Sequence, residues 1–212
     1  MSTTLGNYIT ECRRLLHDAN ANFYTDSELT DYINSGRNRL VRDTGCLRSY
    51  QTTATVASQE VYTFSTLPQG AMTMDVLNIN LIWGNTRVPL RYLPWTQFNA
   101  QLRYWQNYIG RPVAFSVYGQ KTAFLGPVPD QAYTIEMDTV VLPEDLVSGS
   151  EVDVIGEPYT TPVAFYAAHK AKFKEQSYGE SEIYKQQYIQ EVRSVLATTM
   201  TRRIPNPYGS AY

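Results

Sequence analysis

The hydrophobic period changes twice along this chain, and that change limits its fold more than any single motif. From Thr4 to Gly45, and again from Thr161 to Thr199, apolar residues recur at three- and four-residue steps, the period of an amphipathic helix. Between Leu47 and Glu157 they alternate, the period of a strand with one buried face. A chain that reads helix, sheet, helix is an α+β protein in which an antiparallel β-domain is inserted into a helical one. The expected division is 1–46 with 158–200 as the helical part, 47–157 as the β-domain, and 201–212 as an extended arm.

The first helix is expected over Thr4 to Ala19, with Leu5, Tyr8, Ile9, Cys12, Leu15 and Leu16 on one side. The second opens at Thr25, where Thr25 and Glu28 make a capping box and Tyr24 can staple onto Leu29. Its inner stripe is Leu29, Tyr32, Ile33, Gly36 and Leu40, with Arg37, Arg39 and Arg42 largely off it, and Gly45 ends it. Near the other end, Thr161 reads as an N-cap and Pro162 as the first helical residue. Ala164, Ala167, Ala168 and Ala171 form a small-residue face that lets another backbone approach closely. Gly179 is expected to stop that helix and Ser181 to cap the last one, whose stripe is Tyr184, Tyr188, Val192, Val195 and Thr199. Neither helix pair can hide its stripe alone. A joint four-helix bundle would hide both, at roughly 1.5–3 kcal/mol per buried large side chain.

Within the β-region, strands are expected at 51–56, 59–64 and 77–83, with Gly84-Asn85 as a hairpin turn and a return strand over Arg87 to Tyr92. Pro89 demotes that return strand toward an edge. A short helix near 94–107 carries Trp95, Phe98, Leu102 and Trp105. Strands resume at 113–118, 122–125 and 133–142. After the last helix, Thr201 to Tyr212 has no periodicity and holds Pro205 and Pro207, each pushing its predecessor toward extended geometry. Such a stretch cannot bury enough apolar surface alone to offset its ordering entropy, so it is expected to dock on another chain.

Composition narrows the function classes. Net charge is −2, so no global basic footprint points to nucleic acid. Seventeen tyrosines favour surfaces that are apolar in body and polar at the tip, as interfaces are. No leader peptide and no membrane span are expected. Two cysteines, Cys12 and Cys46, are too few for a disulfide scaffold, and Cys12 falls on an apolar helical face. Asp18-x-Asn20-x-Asn22 with Asp26 imitates a calcium loop, but Phe23 occupies the glycine position and Leu29 the bidentate glutamate position. The two histidines are His17, a dipole partner at a helix end, and His169, a packing or interface residue; neither lies in a metal-binding spacing. No cofactor or metal is expected.

Charge distribution is more informative. Asp130, Glu136, Asp138, Glu144, Asp145, Glu151, Asp153 and Glu157 follow one another with no intervening Lys or Arg. This block has three readings: solvated faces and loop edges, a paired-carboxylate glycosidase site, or an acidic surface facing DNA or a basic partner.

Gly110-Arg111-Pro112-Val113-Ala114-Phe115, Gly119, Leu125-Gly126-Pro127-Val128-Pro129-Asp130, Tyr133-Thr134-Ile135-Glu136-Met137 and Leu142-Pro143 together resemble the β-domain signature of tailed-bacteriophage head–tail connector (portal adaptor, neck) proteins. Tyr32-Ile33-Asn34, Arg39-Leu40 and the Ala-rich helix after Pro162 fit the same family, so the resemblance covers nearly the whole chain. It implies a non-enzymatic virion protein assembled in the host cytoplasm. It implies a ring, usually of twelve copies, beneath the phage portal protein, prolonging the channel for genomic DNA and presenting a platform to a downstream tail or nozzle protein. It implies that the C-terminal arm grips the portal: Arg202 and Arg203 pairing with carboxylates, and Ile204, Pro205, Pro207, Tyr208 and Tyr212 lying along pockets. The acidic block would then line the lumen. Some tail-adaptor relatives cleave cell-wall glycans, so a glycan-cleaving or glycan-binding tail protein stands as the alternative.

Overall fold

The computed structural model describes residues 3–67, 69–70, 72–103, 108–119 and 121–203, with side chains in the last helix described as far as 197. In chain order the elements are α1 (Leu5–Leu15), α2 (Asp26–Thr44), β1 (Arg48–Ala54), β2 (Val61–Thr63), β3 (Thr73–Trp83), β4 (Thr86–Pro89), β5 (Arg91–Tyr92), α3 (Trp95–Gln101), β6 (Ala114–Tyr118), β7 (Thr122–Gly126), β8 (Thr134–Val141), α4 (Thr161–Lys174) and α5 (Tyr178–Arg203). The chain is α+β, with five helices and two sheets among the described residues. It divides into two compact units, 1–46 with 143–212, and 47–142.

In the first unit, α4 packs against α1, α2 and α5. Its small face makes this feasible: Val163, Ala164, Ala167, Ala168 and Ala171 are fully buried. On α2 the matching small residue is Gly36, where a Cβ would lie 3.1 Å from the Val163 carbonyl oxygen. Local signals set the ends of α2. Thr25 and Glu28 form the reciprocal capping box, and Gly45, at φ 60°, donates its N–H to the Val41 carbonyl.

Other ends differ from expectation. Helix α1 stops at Leu15 rather than Ala19, because the buried Asp18 carboxylate takes the N–H groups of Asn22, Phe23 and Tyr24, while His17 and Ala21 turn to positive φ. Thr161 is already helical, and the N-cap is Thr160, whose side chain makes no cap hydrogen bond. Helix α4 ends through Gln176, at φ 63°, before Gly179 is reached. Ser181, expected as a cap, lies one turn inside α5, and its hydroxyl meets His169 Nδ1 at 2.8 Å. Helix α5 continues to Arg203, so Thr201, Arg202 and Arg203 have helical backbone where an extended arm was expected. Arm residues 204–212, and Trp105, lie outside the described residues.

Arg37 is the main packing surprise. The α2 stripe leaves it off the core, yet it is 1% exposed. The segment after β8 explains this. It was expected to belong to the β-domain as far as Glu157, but from Pro143 onward it belongs to the helical unit. Leu5 and Gly6 donate N–H groups to the Glu151 and Gly149 carbonyls, and Asp153 N–H bonds the Thr3 carbonyl. The Asn34 side chain exchanges two hydrogen bonds with the Leu146 backbone, at 2.9 and 3.0 Å.

The second unit is two four-stranded sheets packed face to face, in the orders β1-β8-β3-β4 and β2-β7-β6-β5. All pairings are antiparallel except β5 with β6. Val76, Ile79, Leu81, Ile135 and Met137 from one sheet meet Tyr62, Phe115, Ala123 and Leu125 from the other. Gly84-Asn85 makes a two-residue hairpin, with Trp83 opposite Thr86. The expected single return strand splits into β4 and β5 in different sheets. Buried Leu90 donates to Ile79 in the first sheet, and the next residue, Arg91, donates to Val113 beside the second. Outside the second sheet, Trp95, Phe98 and Leu102 of the α3 region cover Ala114 and Phe124.

Candidate functional site

The eight carboxylates of the acidic block do not form one site, because they are divided between the two units. Glu144, Asp145, Glu151, Asp153 and Glu157 belong to the helical unit; Asp130, Glu136 and Asp138 belong to the β unit. Two of the eight are buried and paired.

Asp153 is the better enclosed. Its oxygens accept from Arg37 Nη2 at 2.7 Å, Arg37 Nε at 3.0 Å, the Tyr8 hydroxyl at 2.8 Å and the Ile155 N–H at 3.0 Å. Arg37 Nη1 donates to Asn34 Oδ1 and to the Glu144 carbonyl. Every polar atom of this cluster that the buried pair needs is therefore supplied by α1, α2 or the 143–157 segment. Burial, then the neighbouring Asp153 charge, push the Tyr8 phenol far above its ordinary range, so it stays a hydrogen-bond donor. The arrangement holds a connecting segment against two helices. It was not legible from α2 alone, since Arg37 and Asp153 lie 116 residues apart.

Glu136 lies on the outer face of the first sheet of the β unit, with Asp138 two residues on. Arg87 grips Glu136 through Nε at 2.7 Å and Nη2 at 3.1 Å, and the Tyr50 hydroxyl donates at 2.5 Å. Arg48 pairs with Asp138. The Arg87 contact, followed by Tyr50, outweighs burial and holds the Glu136 carboxyl below its ordinary value of 4.5. A depressed carboxylate stabilises the fold above its unfolded value, and that contribution is lost as pH falls through the folded value. The melting temperature is therefore expected to drop more steeply below pH 4.5 in the natural protein than in Glu136→Gln. Parallel acid limbs in thermal melts of the two proteins would contradict this.

The remaining five carboxylates of the block, Asp130, Glu144, Asp145, Glu151 and Glu157, are exposed. Asp130 accepts the Tyr133 hydroxyl at 2.6 Å, and Glu151 accepts the Val147 and Ser148 N–H groups. Asp18 of the imitation calcium loop is occupied by three backbone N–H groups and Arg13 Nη1 at 3.1 Å. Burial opposes its charged form, but the Tyr24, Asn22 and Phe23 N–H groups prevail and keep its carboxyl below the usual range. Among the described residues no group of acidic, His or Cys side chains could hold a metal ion. The Cys12 thiol, buried at the α1–α4 contact, is pushed up to about 12 by burial, which suits a packing residue. Among the described residues no helix is long and apolar enough to cross a membrane.

The helical unit also holds an open polar pocket of about 410 Å³, lined by Asp31, Ser35, Asn38, Arg39 and Arg42 of α2, with Asp145 and Tyr166. Both charge signs line it, which suits a polar protein contact better than a free anion. The arm side chains from Arg202 to Tyr212 are outside the described side chains.

No curated protein matches the chain. A family model described as SU10 adaptor protein matches residues 3–209, nearly its whole length. The chain therefore belongs to the SU10 adaptor protein family and is a structural adaptor of a phage, a virion component that associates with portal and tail proteins.

Proposed function

We propose that the protein is one subunit of a ring seated beneath the portal, usually of twelve copies, which prolongs the DNA channel and offers the tail or nozzle its platform. The family match over residues 3–209 is the observation that carries this reading. The two-unit build supports it, since each unit can present a different surface to a different neighbour. In this reading α1, α2, α4 and α5 act as one four-helix bundle, with α4 as the element that all the others touch. The network of Arg37, Asp153, Tyr8 and Asn34 fixes where the chain re-enters that bundle.

The arm is the proposed portal anchor. Arg202 and Arg203 pair with portal carboxylates, and Ile204, Pro205, Pro207, Tyr208 and Tyr212 occupy pockets in extended-peptide fashion. Exposed carboxylates among Asp130, Glu144, Asp145, Glu151 and Glu157 are the proposed partner-facing or lumen-facing charges, where like-charge repulsion lets DNA slide without sequence-specific binding. The small net negative charge supports passage over capture. The proposed location is the virion neck, after assembly in the host cytoplasm.

Truncation after Met200 is expected to leave both units folded, by circular dichroism and cooperative melting, and to abolish attachment to purified portal in a pull-down. Attachment equal to that of the full chain would contradict the arm's role.

A further inference from the structure

The two sheets of the β unit end in four edge strands: β1 and β4 in one, β2 and β5 in the other. An open edge is a template for another strand wherever its outward N–H and C=O groups are free. In β4, the Leu90 N–H to Ile79 bond fixes the phase, so Arg87 and Pro89 face outward; Pro89 has no N–H to offer. In β2, Val61 and Thr63 face outward, but their carbonyls already accept Gln59 Nε2 at 2.8 Å and Thr66 Oγ1 at 2.7 Å. Strand β5 is two residues long and turns only Tyr92 outward. Three edges are thus blocked, capped or too short.

Strand β1 differs. Val141 N–H to Leu47 and Thr55 N–H to Tyr133 bracket its ladder with β8, so Ser49, Gln51 and Thr53 bond inward. Arg48, Tyr50, Thr52 and Ala54 turn N–H and C=O away from β8, and all four residues are exposed. Among the described residues nothing meets those groups. The seven residues contain no proline, lysine or bulge, and their register with β8 is unbroken.

We propose that β1 pairs antiparallel with β1 of a second copy, about a two-fold axis at Gln51, joining two four-stranded sheets into one. The strand is self-complementary in this register. Arg48 faces Ala54, Tyr50 faces Thr52, no residue overhangs, and no like charges oppose each other. An aromatic opposite a β-branched residue is a favourable cross-strand pair. Shifting the axis to Tyr50 or Thr52 leaves an outward residue of β1 without a match inside the strand. A different occupant is disfavoured within this chain because the other described edges are interrupted by proline, capped at their carbonyls or too short. A two-fold contact closes on itself and cannot be repeated around a ring. It therefore describes the free protein, and it does not depend on the portal reading.

Sedimentation velocity on the full chain without portal tests this. A reversible monomer–dimer equilibrium is expected, and Thr52→Pro should weaken it by about tenfold or more. That proline removes an outward N–H and leaves the β8 ladder intact. Independently, Ser49→Cys with Thr53→Cys should give a disulfide-linked dimer on mild oxidation, with 49 joined to 53 by peptide mass mapping. Those two positions face each other as a non-hydrogen-bonded pair, where side chains are closest. A monomer at all concentrations, an oligomer indifferent to Thr52→Pro, or absence of the 49–53 link would each overturn the proposal. If the proline variant fails to fold, the cysteine mapping alone decides.

Discussion

Asp153→Ala is expected to destabilise the helical unit by about 3–5 kcal/mol, because it leaves the Arg37 guanidinium buried without its counter-charge. The side chains of the pair are 1% and 0% exposed, so water cannot replace the lost carboxylate without opening the structure. The Tyr8 hydroxyl and the Ile155 N–H lose their acceptor in the same step. Removing both charges, as in Arg37→Met with Asp153→Leu, should cost less than Asp153→Ala alone, since an apolar pair leaves no unpaired ion. Urea unfolding of the two variants, followed by circular dichroism at a helix wavelength, measures this. A loss below about 1 kcal/mol for Asp153→Ala would show that the pair is not the fastening described.

Gly36→Leu should cost about 1–3 kcal/mol or more through overpacking. A single Cβ at that position already comes within 3.1 Å of a backbone oxygen and 3.4 Å of the Tyr166 ring. A backbone carbonyl cannot rotate aside as a side chain can, so α2 and α4 must separate and the alanine face of α4 must part from its neighbours. Gly36→Ala should be milder, needing the neighbour to give by a few tenths of an ångström. Equal midpoints for Gly36→Leu and the natural protein would contradict the close α2–α4 approach.

What could be read ahead of the structure follows the range of the interactions. The capping box at Thr25 and Glu28 and the stop at Gly45 depend on residues within one turn, so the sequence pattern contains them. The alanine face on α4 is periodic, and Pro89 marks an edge because it lacks a donor. The early end of α1 was hidden because it depends on a side chain, Asp18, competing for backbone N–H groups beyond the helix. The place of residues 143–157 was hidden for a different reason. That segment has no period of its own, and it is held by long-range bonds to Thr3, Leu5, Asn34 and Arg37. Arg37 itself looked like a surface residue because hydrophobic stripes say nothing about a buried cation whose partner is distant. The acidic block illustrates the same limit: eight carboxylates adjacent in sequence are assigned to two units and two kinds of environment.

This adaptor is proposed to work by forming a ring on a portal. The most direct measurement is the mass of the purified protein alone and after mixing with its purified portal ring, by light scattering coupled to size exclusion. The account predicts a small species alone and, on the portal, a complex heavier by a closed ring of copies in register with the portal's symmetry. A portal whose mass is unchanged by excess adaptor would contradict it.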